Sequence, residues 1–240
     1  MKETKFTFQR YEKKYLLPRE KYLALWQELE PRVEPDAFFQ STVCSVYYDW
    51  EDFRLIRHSL EKPVYKEKLR LRSYNVPGPE DPVFVELKKK YDSVVYKRRL
   101  ALPQDVALDC LSSRKPLPAF SQIAREIDYF CDFYQTLRPA VFLSYEREAY
   151  FALDGSDFRV TFDENILFRQ DRLSLSEAPG GTAILAPGTT LMEIKTSGSI
   201  PLWMTHCMAG ARIYKTSFSK YGTAYEMILR QGAKGAIFYA

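Results

Sequence analysis

Residues 66–74 read KEKLRLRSY and alternate basic with apolar side chains. Lys68, Arg70 and Arg72 fall on every second position, with Leu69 and Leu71 between them. Successive side chains of a β-strand point to opposite faces, so the three cations share one face and the leucines share the other. The leucine face can pack on a core and fix the register of the strand. The segment therefore predicts a strand with one strongly basic face.

The same alternation recurs in other segments of the chain. A hairpin is predicted for residues 83–102, VFVELKKKYDSVVYKRRLAL, with its turn at Asp92–Ser93. The charged residues that alternate are Arg10, Glu12 and Lys14, then Glu86, Lys88 and Lys90, then Lys97 and Arg99, then Glu193 and Lys195. Two ammonium groups 4 Å apart repel by roughly 4 kcal/mol at an effective dielectric near 20, so rows of like charge favour anions between them. These rows predict a polyanionic ligand.

Eight segments have the composition of strands. They are residues 4–16, 41–48, 64–74, 82–91, 93–102, 139–151, 157–163 and 189–196. Helices are predicted at about 18–30, 50–60, 119–136 and 219–230, and shortly after Pro103 and Pro201. A loop or mobile flap is predicted at 170–188, which is rich in Ser, Gly, Ala and Pro. We expect an α+β fold, a single domain over residues 1–240, in which eight antiparallel strands close into a β-barrel with a polar interior and flanking helices.

Composition excludes several other classes of protein. Hydrophobic residues make up 46% of the 240 positions, which supports a sizeable core, and no apolar run approaches the roughly 18 residues of a membrane helix. Four scattered cysteines and two histidines argue against a zinc site and predict reduced thiols in a cytoplasmic protein. GxGxxG, GxxxxGK[ST] and GxSxG motifs are absent, which excludes the usual phosphate cradles and the nucleophile elbow.

Nucleic acid is not predicted as a partner, although the chain is basic and aromatic. Most aromatic residues alternate with the basic ones and so lie on the opposite face of their strand. Base-stacking sites place aromatic and basic side chains together on one face.

Two further groups could contribute to an anion site. Glu193 and Lys195 alternate in LMEIKTSG, residues 191–198. A carboxylate beside a basic tunnel can hold Mg²⁺ or Mn²⁺, whereas the alternative reading is an ordinary surface pair. Lys215, Ser219 and Lys220 surround the predicted start of the last helix, where a helix N-terminus favours an anion; capping alone is the alternative for Ser219.

Nine short motifs follow one another along almost the whole chain. They are RYEKKYLL (10–17), SVYYDW (45–50), KLRLRSY (68–74), VFVELKKK (83–90), VYKRRLAL (95–102), LSYEREAYF (143–151), FRVTFDENI (158–166), LMEIKTSG (191–198) and FSKY (218–221). In this order they resemble the catalytic domain of the VTC (vacuolar transporter chaperone) polyphosphate polymerases, within the triphosphate tunnel metalloenzyme superfamily.

The resemblance implies a fold, an activity and a set of site residues. The fold is an eight-stranded antiparallel barrel that forms a tunnel lined with basic residues. Carried over by motif, the residues that would grip the phosphates are Lys14, Arg70, Arg72, Lys88, Lys97, Arg147, Arg159 and Lys220. Further phosphate contacts are expected from Arg10, Lys68, Arg99, Lys195, Lys215 and Ser219. Glu193, with Glu12 and Glu86, would hold Mn²⁺ or Mg²⁺.

The implied activity is transfer of the ATP γ-phosphoryl group to a growing polyphosphate chain, with release of ADP. Export of the product would require a separate membrane partner. Hydrolytic tunnel enzymes typically begin with an ExExK strand, and here Arg10 replaces the first glutamate. That exchange removes a metal ligand and adds a phosphate contact, which favours the polymerase branch. The resemblance also implies a basic residue at Ser217, for which Lys215 is the candidate replacement.

Two other functions remain open at this point. One is a tunnel hydrolase that acts on inorganic triphosphate or a nucleoside triphosphate. The other is a module that binds polyphosphate or an inositol phosphate without turnover.

Overall fold

The computed structural model describes residues 11–92 and 94–237, with side chains as far as residue 231. The strands are β1 Tyr11–Pro18, β2 Val33–Asp49, β3 Tyr65–Tyr74, β4 Pro82–Tyr91, β5 Val94–Pro103, β6 Arg138–Ala152, β7 Arg159–Arg169, β8 Thr182–Ala183 and β9 Thr189–Thr196. The helices are α1 Arg19–Leu29, α2 Arg54–Leu60, α3 Gln104–Ser113, α4 Gln122–Phe133, α5 Leu202–Gly210 and α6 Lys220–Ile237.

One antiparallel sheet curls around a shared interior. Its strands follow the order β1-β9-β7-β6-β2-β3-β4-β5, and the short β8 pairs with β7. No ladder of hydrogen bonds joins β1 to β5 in the described residues, so a seam remains between these edges. Across the interior, the Nζ of Lys88 on β4 lies 3.3 Å from Oε2 of Glu12 on β1. The predicted α+β fold and antiparallel tunnel are confirmed, and the seam is the one departure from a fully hydrogen-bonded barrel.

Two strands are longer than their composition predicts. β2 begins at Val33 rather than 41, and its register shifts between Pro35 and Gln40. Pro, Asp and Glu are poor strand formers, which hides this part of β2 from a propensity argument. β7 continues to Arg169 through Asn165, whose φ is 48°. A polar residue in a left-handed conformation reads as the end of a strand, although here the strand resumes after it.

The segment 170–188 is a loop, as the sequence predicts, and it contains the short strand β8. The buried guanidinium of Arg169 contacts the residues that precede β8. That guanidinium donates to the carbonyl oxygens of Arg172, Ala178 and Gly180 at 3.0 to 3.2 Å. It also lies 3.6 Å from the ring centre of Phe142. One buried cation therefore holds this loop against the sheet.

Apolar residues form three clusters, two of them outside the curled sheet. The first lies beneath α3 and α4 and includes Leu69, Leu71, Val85 and Leu87. The second lies beneath α1 and α5. The positions of these leucines and valines between the charged residues confirm that β3 and β4 turn their apolar faces outward. None of the helices in the described part of the chain combines the length and apolarity needed to cross a membrane.

The third cluster fills one end of the interior. It joins Tyr221, Ala224 and Tyr225 of α6 to inward residues of the sheet, among them Leu143 and Leu191. Leu191 lies on the same face of β9 as Glu193, two residues further along the strand. The interior is thus apolar at the end that α6 covers and charged beyond it, with Lys220 at the boundary.

Candidate anion-binding and metal-binding site

The charged rows predicted from the sequence meet inside the curled sheet. Neighbouring strands pair Lys68 with Lys88, Arg70 with Glu86, and Lys88 with Lys97. On the other wall, Lys14 pairs with Glu193, Glu12 with Lys195, Lys195 with Arg159, and Arg147 with Asp163. Directly opposed residues of an antiparallel pair point to the same face. These rows therefore form two charged walls of one interior.

The first wall centres on Glu86 and is called here the Glu86 cluster; its members are Glu86, Arg70, Arg72, Lys97 and Arg99. Both oxygens of Glu86 are engaged: Arg70 approaches Oε2 to 2.6 Å, and Lys97 and Arg99 each approach Oε1 to 2.6 Å. Arg72 lies further away, at 3.9 Å. Only 1% of Glu86 is exposed. Burial opposes its ionisation, but the surrounding cations hold the pKa of Glu86 well below its usual range.

Aromatic and hydroxyl side chains orient the guanidinium groups of this cluster. Arg70 donates to the hydroxyl of Tyr47 at 2.9 Å, and Arg72 donates to the hydroxyl of Tyr145 at 3.2 Å. Arg99 lies over the ring of Phe84, 4.2 Å from its centre. A guanidinium held at several points loses little freedom when it binds an anion. The cluster carries four cations for one carboxylate, so it favours a further anion.

The second wall is richer in carboxylates and is called here the Glu193 cluster; its members are Glu193, Asp163, Glu12, Lys14, Arg147, Lys195 and Lys220. Lys220 bridges two carboxylates, with Nζ 2.5 Å from Asp163 and 3.0 Å from Glu193. Lys14 bridges another two, 3.2 Å from Glu12 and 3.5 Å from Glu193. Glu193 therefore lies between two lysine bridges.

Arg147 and Lys195 complete the Glu193 cluster. Arg147 binds both oxygens of Asp163, at 2.6 and 2.7 Å, and lies 3.5 Å from Glu193. Lys195 lies 3.5 Å from the same Glu193 oxygen as Arg147. A bidentate pair of this kind fixes the plane of the guanidinium as well as its distance.

The carboxylates of this wall stay ionised at neutral pH. Burial opposes ionisation of Glu193, but Lys220, Lys14, Lys195 and Arg147 hold its pKa well below the usual range. Lys88 is the largest influence on Glu12 and lowers its pKa, while burial and Glu193 act in the opposite direction. The repulsion between Glu12 and Glu193 marks the position where an added cation would be stabilised.

Three lysines of the interior are poorly compensated. Burial, together with Arg72, Arg70 and Arg99, holds the pKa of Lys97 well below its usual value, although Glu86 acts in the opposite direction. Burial and the neighbouring cations, Lys88 first, lower the pKa of Lys68 to about 7. Burial and Arg147 lower the pKa of Lys195 to about 8. Among the described residues no carboxylate lies within salt-bridge distance of Lys68, whose Nζ is 3.4 Å from the Ser219 hydroxyl. An anion bound near these ammonium groups would restore their protons.

The donor set fits a divalent cation that shares its ligands with a substrate. The described residues contain no group of three or more His, Cys, Asp or Glu side chains suited to a metal ion. Mg²⁺ commonly takes only one or two carboxylates and completes its shell with water and phosphate oxygens. Glu193 and Glu12, which lie on either side of Lys14, meet that need. Glu86 fits less well, because cations lie at 2.6 Å from both of its oxygens, whereas the cations around the two oxygens of Glu193 lie at 3.0 to 3.5 Å.

The other expected site residues lie outside the two clusters, some of them beside the clusters and some away from the interior. Arg159 forms an ion pair with Asp36, and Lys88 pairs with Glu12. Ser219 caps α6 by accepting from the amide of Gly222 at 3.1 Å. Lys215 and Ser217 are exposed, so the structure does not bring Lys215 to the interior. Arg10 lies outside the described residues.

Sequence reasoning missed several interior groups. Asp163, Tyr47 and Tyr145 each bind a cation of the two clusters. Tyr145 alternates with Arg147, and Asp163 alternates with Thr161 and Arg159, which places both on the inward face and was a usable signal. Tyr47 lies on β2 and alternates with no basic residue. Asp36 had no such signal, since it lies where the register of β2 breaks.

Comparison with known families identifies the group to which these motifs belong. The model of the VTC domain matches residues 9–229. The chain belongs to the VTC domain family. The match spans both charged walls and the start of α6, so the two clusters lie within the matched residues.

Solved structures share the tunnel fold of this VTC domain. A candidate adenylate cyclase from Bacillus halodurans aligns with a TM-score of 0.54 and 15% identity, over 90% of this chain and 96% of its own. One from Vibrio parahaemolyticus gives 0.52 and 11%, over 90% and 98%. A candidate adenylyl cyclase from Hippeastrum, described as having a dominant triphosphatase activity, gives 0.54 and 15%, over 94% and 96%. These identities establish the fold alone. Comparison with curated proteins gave no match.

Proposed function

We propose that this VTC domain is a metal-dependent polyphosphate polymerase, which transfers the γ-phosphoryl group of ATP to the end of an inorganic polyphosphate chain. One observation carries the proposal: a wall with excess cations, the Glu86 cluster, faces a wall whose carboxylates can share a metal ion, the Glu193 cluster. Membership of the VTC domain family supports it.

Phosphoryl transfer depends more on the positioning of the reactants than on proton transfer. A terminal oxygen of the polyphosphate attacks the γ-phosphorus, the bond from that phosphorus to the bridging oxygen breaks, and ADP leaves with the electron pair. The attacking oxygen is already ionised, so no strong general base is needed. Catalysis then depends on holding the reactants in line and on neutralising their oxygens.

The two walls would divide this work. Arg70, Arg72 and Arg99 present guanidinium groups, which suit phosphate oxygens because of their planar, forked donors. Lys14, Arg147 and Lys220 would approach the same phosphates from the opposite wall. Lys68, Lys88, Lys97, Lys195 and Arg159 extend the basic lining around the chain.

Glu193, with Glu12, would hold the divalent ion, Mn²⁺ or Mg²⁺. When bound, such an ion polarises phosphoryl oxygens and offsets their developing charge. In this chain the neighbouring lysines keep both carboxylates ionised and therefore ready to bind a cation.

A tunnel triphosphatase is the second candidate function. It is favoured by the partly buried Glu12 and the buried Glu193 on adjacent strands, which would serve hydrolysis of inorganic or nucleoside triphosphate equally well. The described activity of the Hippeastrum protein belongs to the same fold. In that case water would take the place of the polyphosphate oxygen.

Phosphorus NMR of purified protein with ATP and Mn²⁺ tests the proposal. Signals of internal phosphates of long chains, together with ADP, are the expected result. Orthophosphate and ADP without internal phosphates would overturn the polymerase in favour of the triphosphatase. Tight binding of tripolyphosphate without any turnover would leave a polyphosphate- or inositol-phosphate-binding module.

A further inference from the structure

Asp49 is a fully buried carboxylate outside both charged clusters. It ends β2 and accepts four hydrogen bonds. Oδ1 accepts from the amides of Trp50 and Leu55, each at 2.8 Å. Oδ2 accepts from the amide of Ile56 at 3.0 Å and from the hydroxyl of Tyr221 at 2.8 Å. Four donors around one carboxylate fix its position firmly.

Two of these bonds anchor the start of α2. Phe53 stands at the N-cap of this helix with φ 58° and no capping side chain. The amides of Leu55 and Ile56 are the groups that an N-cap side chain usually satisfies, and Asp49 satisfies them instead. The fourth bond, to Tyr221, is not needed for this cap. It joins β2 and α2 to the first turn of α6.

The first turn of α6 is held closely on both sides. Tyr221 stacks on Tyr47, with ring centres 4.5 Å apart and planes inclined by 24°. Gly222 packs against α2, where an added Cβ would meet Leu60 Cδ2 at 3.0 Å. Lys220 is the preceding residue, and its Nζ reaches both Asp163 and Glu193. The setting of this turn therefore decides where that ammonium group lies.

We propose that Asp49 is a positioning residue for the charged interior: it fixes the Tyr221 hydroxyl and so holds the Lys220 ammonium between Asp163 and Glu193. This inference rests on the proposed function, because it treats the Glu193 cluster as part of a phosphate site. Without the bond the first turn of α6 can rotate, and Lys220 leaves the two carboxylates. Asp163 and Glu193 then keep their other cations but lose one positive charge between them, so the wall attracts an incoming phosphate chain less strongly.

Tyr221→Phe is the direct test, because it removes only the hydroxyl and keeps the ring that stacks on Tyr47. Tyr225→Phe is the matched control: it removes a hydroxyl one turn later on α6, from a ring that packs against Phe53. Titration calorimetry with inorganic tripolyphosphate, without added metal, measures the dissociation constant. We expect it to rise by about 5- to 10-fold in Tyr221→Phe, which corresponds to about 1.0–1.4 kcal/mol. We expect no change in Tyr225→Phe.

The same Tyr221→Phe substitution made in a Lys220→Met protein separates positioning of Lys220 from a general loss of stability. In Lys220→Met the ammonium is gone, so Tyr221→Phe should weaken binding no further. A purely structural role would weaken both backgrounds by the same factor and would overturn the inference. Asp49→Asn replaces one acceptor oxygen by an NH2 donor and disturbs the α2 cap as well as the Tyr221 bond, so its effect on binding should be at least as large as that of Tyr221→Phe.

The outcomes also separate this inference from the proposed function. If the unchanged protein binds tripolyphosphate and Tyr221→Phe binds it equally well, only the positioning role of Asp49 is overturned. If the unchanged protein does not bind tripolyphosphate, the proposed function fails and the inference fails with it. Thermal unfolding of each variant shows whether the compared proteins are folded.

Discussion

The two charged walls of the interior use buried carboxylates in opposite ways. In the Glu86 cluster a single carboxylate contacts four cations, and Arg70 and Arg99 are also fixed by tyrosine hydroxyls. In the Glu193 cluster three carboxylates are joined by the lysine bridges of Lys14 and Lys220. The first wall has four cations for one carboxylate, whereas the second has four cations for three carboxylates and is therefore closer to neutral. We infer that the first wall orients phosphates and that the second accepts a metal ion.

Glu193→Gln, in the second wall, should have the largest effect on activity. We expect kcat to fall by about 1000-fold, because the variant loses Lewis-acid stabilisation worth several kcal/mol. We expect the dissociation constant for tripolyphosphate without metal to change by less than about fivefold. Steady-state turnover of ATP with Mn²⁺ measures kcat, and titration calorimetry measures the binding of tripolyphosphate. Glu146→Gln, at an exposed glutamate next to Arg147, is the control and should retain full activity. Near-normal turnover in Glu193→Gln would remove this residue from the metal role.

Glu86→Gln should instead destabilise the fold. It leaves four cations without their buried counter-ion, which costs about 3–5 kcal/mol of unfolding free energy. Tripolyphosphate should then stabilise this variant more than the unchanged protein, because the anion replaces the lost charge. Denaturant unfolding with and without the anion measures both effects.

The matched control for Glu86→Gln lies on the outer surface. Glu126 on α4 also pairs with two cations, Lys89 at 3.4 Å and Arg98 at 3.0 Å, but it is 21% exposed. Glu126→Gln should cost less than about 1 kcal/mol, as expected for pairs near solvent. Equal losses in the two variants would contradict a special role of the Glu86 cluster.

Protonation of Lys68 should make anion binding depend on pH, and this is the smallest of the expected effects. Burial and Lys88 lower the pKa of Lys68 to about 7, so at pH 8 this side chain is a neutral amine in most of the molecules. A bound anion raises this pKa, so binding at pH 8 takes up protons, and affinity falls as pH rises through 7. Calorimetry in buffers of different ionisation enthalpy measures the uptake. Lys68→Met should take up fewer protons, by as much as about one, and Lys89→Met should match the unchanged protein.

The strands of the charged walls could be predicted from the sequence, whereas the partners of each charge could not. Alternation placed Arg70, Lys88 and Lys97 on one face, because the two-residue period of a strand is a local property. The role of Glu86 depends on which strands are neighbours, and that is decided by the whole sheet. Glu86 and Glu193 look alike in sequence, since each is a glutamate two residues before a lysine.

The errors in the sequence reading have the same physical origin. Lys215 is expected at the site because the resemblance implies a basic residue at Ser217, but Lys215 is exposed and Lys220 is the one that reaches the interior. The extra length of β2 and the tether of the loop by Arg169 depend on long-range contacts. The sequence predicts a helix at 219–230 but not the third apolar cluster that α6 completes, because periodicity does not tell which surface a helix covers.

Mn²⁺ binding in the presence of tripolyphosphate tests the division between the two walls most directly. Electron paramagnetic resonance of free Mn²⁺ gives its dissociation constant for the unchanged protein, Glu193→Gln and Glu86→Gln under conditions where each variant is folded. The account predicts binding that is weakened by at least about tenfold in Glu193→Gln and retained in Glu86→Gln. Unchanged affinity in Glu193→Gln, or an equal loss in both variants, would contradict it.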